Sequence, residues 1–187
     1  MIVDEDRDEY LMARVQHGQP ELLERILRRH ATPLLTFLER MTGNLHQSEE
    51  LFQEVFLAVW RKRHQYHYPL PFKPWLYAIA LNKCREAFRG QGCRAEPLGD
   101  EATAPASADA SPADSLIASE TAETVSRAVT ELPPKQRAVV VLRVWHGLGY
   151  DRIAQIIETT EATARSHMHH ALAALRQSLA PRLGIPQ

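Results

Sequence analysis

ELPPKQRAVVVLRVWHGLGYDRIAQIIETTEATARSHMHHALAALRQSL, from Glu131 to Leu179, decides the fold. It reads as three apolar-periodic segments with a break where a helix-turn-helix needs its turn. Leu132-Pro133-Pro134 opens the first helix, because proline is tolerated in a first turn whose N–H groups lack partners. Val139, Leu142, Arg143 and Trp145 run to a stop at Gly147. Tyr150 to Ile157 makes a short helix with Ile153, Ala154 and Ile157 on one face. Thr159-Thr160 offers a capping hydroxyl for the next helix. That helix carries Met168, Ala171, Leu172, Leu175 and Leu179 as one stripe and leaves Arg165, Ser166, His169, His170 and Arg176 on other faces. A second helix with a polar N-terminal half suits the major groove. A plain helical hairpin with a solvated face fits the same periodicity. Glu158 stands where such a turn often has glycine, so it must accept a strained backbone or shift the turn.

Working outward, charge is segregated although the net charge is −1. Leu57 to Arg94 holds eight bases (Arg61, Lys62, Arg63, Lys73, Lys83, Arg85, Arg89, Arg94) and one acid, Glu86. Ala95 to Thr124 holds seven acids (Glu96, Asp100, Glu101, Asp109, Asp114, Glu120, Glu123) and no base. Val125 to Gln187 is mildly basic, with eight bases and four acids. Two polyanion-facing modules joined by a different kind of segment follow from this pattern.

Periodicity predicts further helices over 5–16, 21–41, 48–63 and 74–89, with Pro33 breaking or kinking the second and Ser48 capping the third. The stretch from 95 to about 115 is rich in Ala, Ser, Pro and Asp and cannot bury enough surface to offset chain ordering. The expected architecture is all-α. Residues 1–94 form one small helical domain, 95–116 a flexible acidic linker, and 117–187 a second helical domain. Twenty-one extended linker residues reach roughly 70 Å. No apolar run has membrane-spanning length, and the acidic start does not read as a signal peptide, so a cytoplasmic protein without direct membrane insertion is expected. Cys84 lies in a helical pattern and reads as a small core residue.

Catalysis finds no support: there is no glycine-rich phosphate loop, no GxSxG and no HExxH. His64 with His67, and the group His167, His169, His170, lack companion ligands at zinc spacing, so neither a metal nor a cofactor is expected. The basic block is more informative because Trp60, Tyr66, Tyr68, Phe72, Trp75, Tyr77 and Phe88 interleave it. Cations attract phosphate and aromatic faces stack on unpaired bases, which is the chemistry of single-strand capture. Trp60 and Phe88 read better as core; for Tyr66, Tyr68 and Tyr77 core and contact are equally compatible with the pattern.

Taken together these segments resemble the extracytoplasmic-function sigma factors of bacterial RNA polymerase. SEELFQEVFLAVWRK, from Ser48, resembles the family's polymerase-binding helix. PFKPWLYAIALNKCREAFR resembles its promoter-opening segment through Trp75, Leu76, Ile79, Ala80, Asn82, Glu86 and Arg89. ELPPKQR and TARSHMHHALAALR resemble its L-P-x-x-x-R and T-V-K-S-R-x-x-R-A. Departures fall on the last motif, where His167 and His170 replace arginines, Ala164 replaces valine, and Glu158 replaces the turn glycine.

The resemblance implies sigma domain 2 followed by a helix-turn-helix sigma domain 4, and a protein that is not an enzyme. Its partners would be core RNA polymerase, promoter DNA and a cognate anti-sigma factor, in this family often membrane-anchored, with stress response the usual setting. Glu50, Gln53, Glu54 and Trp60 would bind polymerase. Lys62, Lys73, Trp75, Tyr77, Asn82, Lys83, Arg85 and Arg89 would hold the melted −10 strand. Thr163, Arg165, Ser166, His167, His169 and His170 would meet the −35 element. A stand-alone helix-turn-helix regulator with an N-terminal interaction domain explains the second half equally well but leaves the basic–aromatic block unassigned.

Overall fold

The computed structural model describes residues 6–91 and 112–183, with the side chains of 91, 112–120 and 182–183 left aside. Most of the expected linker therefore lies outside the described residues. Among them the chain is all-α: α1 (Asp8–Gln16), α2 (Leu22–Thr42), α3 (Leu45–Arg61), a 3-10 turn (Arg63–Gln65), α4 (Phe72–Gln91), α5 (Pro112–Thr130), α6 (Pro134–Val144), α7 (Tyr150–Ile157) and α8 (Glu161–Leu183). Helix α5 begins inside the stretch read as linker.

Helices α1–α4 form the first unit. Leu11, Met12 and Val15 of α1 pack with Ile26, Leu34, Phe37 and Leu38 of α2, Leu51, Val55 and Val59 of α3, and Leu76 and Ala80 of α4. Helix α2 runs unbroken through Pro33, so the expected break does not occur. It ends at Gly43 in the left-handed region, where a Cβ would sit 3.1 Å from the Thr130 methyl. Asn44, not Ser48, caps α3: its Oδ1 accepts the Gln47 N–H at 2.9 Å. Ser48 instead sits buried in the first turn and donates to the Asn44 carbonyl. Helix α4 is capped from a distance, since the Glu9 carboxylate accepts the Phe72 N–H at 3.1 Å. A carboxylate at a helix N-terminus also complements the dipole there. Gln16 donates to the carbonyls of Arg63 and Tyr66 at 2.6 and 2.7 Å and so fixes the loop ahead of α4.

The second unit follows the sequence closely. Pro134 starts α6 at its first turn, and Gly147 (φ 65°) allows the chain to reverse before α7. Glu158 takes the left-handed conformation itself (φ 57°, ψ 62°), so the turn is kept without glycine. Thr160 caps α8, its Oγ1 accepting the Thr163 N–H at 3.2 Å. The buried stripe of α8 is Ala164, Met168 and Ala171, with Leu175 half-buried; Leu172, expected in the stripe, is exposed. A helix spaced at 3.6 residues places 164, 168, 171 and 175 in one row, and 172 falls beside it.

The two units lie against one another, not apart. Helix α7 packs on α4, and α5 and α6 pack on α2. Ile156, outside the predicted apolar face of α7, is buried on this side. Arg137 at the start of α6 donates to the Met41 carbonyl. Its other hydrogen bonds run to the carbonyls of Thr130 and Leu132, and its guanidinium lies 5.9 Å over the Phe88 ring of α4. Arg40 of α2 lies 4.3 Å over the Trp145 ring.

Replacing Glu158 with glycine should stabilise the protein by about 0.5–1 kcal/mol. Relief of the left-handed strain, about 1–2 kcal/mol, exceeds the added freedom of the unfolded chain, about 0.4–1 kcal/mol. The Arg85–Glu158 pair lost with it is long, at 3.8 Å, and solvent-facing, so it contributes little. Urea unfolding checks this; an unchanged or lower midpoint counts against the strain.

Candidate nucleic-acid interface

Three surfaces gather the candidate residues. The first is the outward face of α3, where Glu50, Gln53 and Glu54 are exposed about one turn apart. Leu57 continues the same face and is 53 % exposed, an apolar side chain that the sequence pattern assigned to nothing. Helical spacing from Gln53 to Leu57 carries that signal. Trp60 is half-buried at the end of the row, with the Arg63 guanidinium 3.9 Å over its ring. Glu54 reaches Lys83 of α4 at 3.3 Å, which links this face to the next.

The second surface is the groove between α3 and α4. Lys62, Asn82 and Lys83 line it together with Arg61 and Glu86. The Lys83 ammonium, hydrogen-bonded to Glu86 at 2.9 Å and near Glu54, is held charged, its pKa raised chiefly by Glu86. Arg85 and Arg89 lie on the next flank of α4, where Lys135 and Glu158 border a second groove. Arg85 donates to Asn82 Oδ1 at 3.0 Å and more weakly to the Ile157 carbonyl at 3.4 Å. Trp75 closes an aromatic cluster with Tyr66 (5.3 Å) and Phe72 (5.8 Å), one edge half-exposed.

Two residues expected on this surface are elsewhere. Tyr77 is fully buried and packs on Phe37 at 5.0 Å, so in this arrangement it cannot stack on a base. Its hydroxyl lies 2.8 Å from His146 Nδ1, and burial raises its pKa. Lys73 is half-buried and donates to the His146 carbonyl at 2.8 Å; burial lowers its pKa. Tyr66 too is buried and donates to the Leu70 carbonyl. Of the three uncertain tyrosines, only Tyr68 is exposed. Cys84 is core, its thiol pushed up to about 12 by burial.

The third surface is the N-terminal half of α8. Thr163, Arg165, Ser166, His169 and His170 are exposed, and His167 is half-buried. Arg165 pairs with Glu161 at 2.5 Å and lies 4.5 Å over the Tyr150 ring, which ties the recognition helix to the start of α7. The Thr163 hydroxyl is engaged with Thr160 at 2.8 Å. The His169 and His170 rings stand 5.7 Å apart, edge to face.

Comparison with known proteins matches this division. Residues 26–93 match the model of sigma-70 region 2, and residues 122–175 that of sigma-70 region 4. The RNA polymerase sigma factor CarQ of Myxococcus xanthus is 31 % identical over 169 residues, covering 90 % of this chain and 95 % of that one. The chain belongs to the extracytoplasmic-function sigma factors. It is also 26 % identical to the RNA polymerase sigma-H factor of Pseudomonas aeruginosa, over 97 % of this chain and 98 % of that one. The fold is shared with CnrH, solved with the cytosolic domain of CnrY, at a TM-score of 0.71, 21 % identity and 93 % and 97 % coverage. It is shared equally with the RpoE of Bartonella quintana, solved with the anti-sigma factor NepR, at a TM-score of 0.72, 20 % identity and 84 % and 96 % coverage. A sigma factor catalyses nothing itself; it directs RNA polymerase to promoters. The region 2 match assigns the unit that a stand-alone regulator left unexplained.

His146, which no sequence signal singled out, sits between the two regions of this sigma factor. It is 9 % exposed, packs on Tyr77 (4.7 Å) and Phe37 (5.8 Å), and its Nε2 is buried without a hydrogen-bond partner among the described residues. Burial, then the charges of Lys73 and Arg40, push its pKa down to about 4. A solvent-exposed histidine titrates near ~6.5, so above that pH neither the packed nor the separated state holds the proton. Between about 6.5 and 4 only the separated state gains it, and the packing weakens as pH falls. From pH 7 to 4.5 the wild-type protein should lose about 2 kcal/mol more than His146→Gln, by urea unfolding at each pH. Equal pH slopes would mean that His146 is not the group responsible.

Proposed function

We propose that this sigma factor divides its work among the three surfaces. The outer face of α3 meets the polymerase clamp through Glu50, Gln53, Glu54 and the edge of Trp60, with Leu57 supplying apolar contact. Lys62, Asn82 and Lys83 in the α3–α4 groove, with Trp75, Arg85 and Arg89 beside it, hold the unpaired −10 strand. Lys73 joins them once region 4 has moved away. The N-terminal half of α8 enters the major groove of the −35 element, where Arg165, Ser166, His169 and His170 are the reading side chains, and Thr163 and His167 flank them. The protein works in the cytoplasm, and an anti-sigma factor holds it inactive by covering these faces. Support for that partner is the shared fold with sigma factors solved in such complexes. No helix among the described residues is long and apolar enough to cross a membrane.

The observation that carries the reading is the clean split of α8. Ala164, Met168 and Ala171 are buried while Arg165, Ser166, His169 and His170 between them are exposed and His167 is half-buried. Such a helix presents a polar surface on a fixed base, which base readout needs.

Charge reversal tests the polymerase face. Glu50→Arg with Glu54→Arg should weaken binding to core polymerase at least about tenfold, equivalent to ~1.4 kcal/mol, and leave helical content unchanged. Unaltered affinity would remove these residues from the interface. On α8, arginine presents a permanent charge and a forked donor set that histidine lacks. His170→Arg should therefore tighten binding to −35 duplex and steepen its salt dependence by about one phosphate contact. A salt titration with an unchanged slope would place His170 away from the backbone.

A further inference from the structure

Lys83 stands between two carboxylates carried by different helices. Glu86 lies three residues on along α4, at 2.9 Å, and Glu54 reaches across from α3 at 3.3 Å. Arg61 and Lys62 line the same groove, and among the described residues neither forms an ion pair with a carboxylate. Two surfaces meet at this lysine, since Glu54 belongs to the outward face of α3 and Lys83 to the α3–α4 groove. We propose that Glu54 is an electrostatic brake on strand binding: it occupies Lys83 in the free protein and gives it up when polymerase takes the α3 face. The brake rests on the ion pairs; its release by polymerase rests on the function proposed above.

One ammonium against two carboxylates leaves the spot net negative, so an incoming phosphate meets repulsion until one carboxylate withdraws. Glu54 is the one that a partner on α3 can withdraw. Its side chain is 55 % exposed, one turn from Glu50, where a cationic surface can draw it off. Glu86 shares a helix with Lys83, and a pair at that spacing persists whatever lies on α3. Glu86 is also the chief cause that keeps the Lys83 ammonium charged. Lys83 therefore stays protonated and anchored when Glu54 leaves, with two of its three donors free for phosphate oxygens. Coupling between two ligands is reciprocal, so the strand strengthens the hold on polymerase by the same factor. An exposed ion pair is worth little alone, which sets that factor at ~3–5.

Binding of the free full chain to a labelled single-stranded −10 oligonucleotide, read by fluorescence anisotropy, tests the brake. Glu54→Gln keeps the size and helix propensity of the side chain and removes its charge, and should tighten binding ~3–5-fold. Glu50→Gln removes a carboxylate of the same face that meets His46 and not Lys83, and should tighten it no more than ~1.5-fold. In a Lys83→Ala background the gain from Glu54→Gln should vanish. No gain from Glu54→Gln, an equal gain without Lys83, or an equal gain from Glu50→Gln overturns the brake. Release is read with core polymerase. Adding the oligonucleotide should raise the core affinity of the wild type ~3–5-fold more than that of Lys83→Ala. Equal enhancement in the two overturns the release and leaves the brake. If Lys62→Ala and Lys83→Ala both leave strand binding unchanged, the groove itself is misassigned and the brake falls with it. If Lys62→Ala weakens binding while Glu54→Gln changes nothing, the groove stands and the brake alone fails.

Discussion

Helix α6 sets the constraint on which the arrangement depends. Ala138, Val139, Val140, Val141 and Leu142 are all buried, five successive residues around more than one full turn. A helix apolar on every side must be covered on every side. The second unit alone does not do this, since α7 and α8 occupy only part of its circumference. Helix α2 supplies the rest. Once α6 lies on α2, both of its ends enter the first unit, Arg137 at one and His146 at the other. The position of α7 on α4 follows.

Burying charged and polar groups at that junction has a cost that geometry offsets only in part. Burial lowers the pKa values of Arg137, Lys73 and Arg40. No carboxylate at hydrogen-bonding distance answers any of the three among the described residues. Carbonyl oxygens accept from Arg137 and Lys73, and the Trp145 face lies under Arg40. Nε of Arg40, Nε of Arg137 and Nε2 of His146 are buried without partners. Each such atom forgoes about 1–3 kcal/mol of hydration. Among the described residues no other buried side-chain nitrogen or oxygen lacks a partner, so the polar defects of the packing are gathered at the junction.

Much of this was legible in the sequence. The helix-turn-helix boundaries, the Pro134 start, the Thr160 cap and the strain at Glu158 follow from local chemistry, and local chemistry decided them. The α3 start was misplaced because Asn44 and Ser48 are both good caps, and periodicity does not choose between them. Leu172 was misassigned because two adjacent registers of the α8 pattern contain leucines. Tyr77 and Lys73 were read as nucleic-acid contacts because a basic, aromatic helix looks the same whether its partner is a base or another helix. The run AVVVL was the available signal for the second interface. It is too apolar for one covered face, but nothing local says which helix covers the other.

The exposed half of α8 also explains why the two regions need each other. Arg165 is the one permanent cation in the N-terminal half of α8, and Glu161 at 2.5 Å already neutralises much of that charge. On the roles proposed, phosphate attraction at the −35 element is weak, since the histidines there lack arginine's permanent charge. The cations are concentrated instead on the flank formed by Lys62, Lys83, Arg85 and Arg89, where Glu54, Glu86 and Glu158 temper them. Two weak grips joined by a chain act at high effective concentration once the first is made, and their combined affinity exceeds either alone. That gain vanishes if the units cannot reach both elements together. On those roles, joint engagement requires the two regions to be held apart at the promoter spacing. On the roles proposed, polymerase does so by taking the α3 face of one region while DNA takes α8 of the other, which couples promoter recognition to assembly of the initiating enzyme.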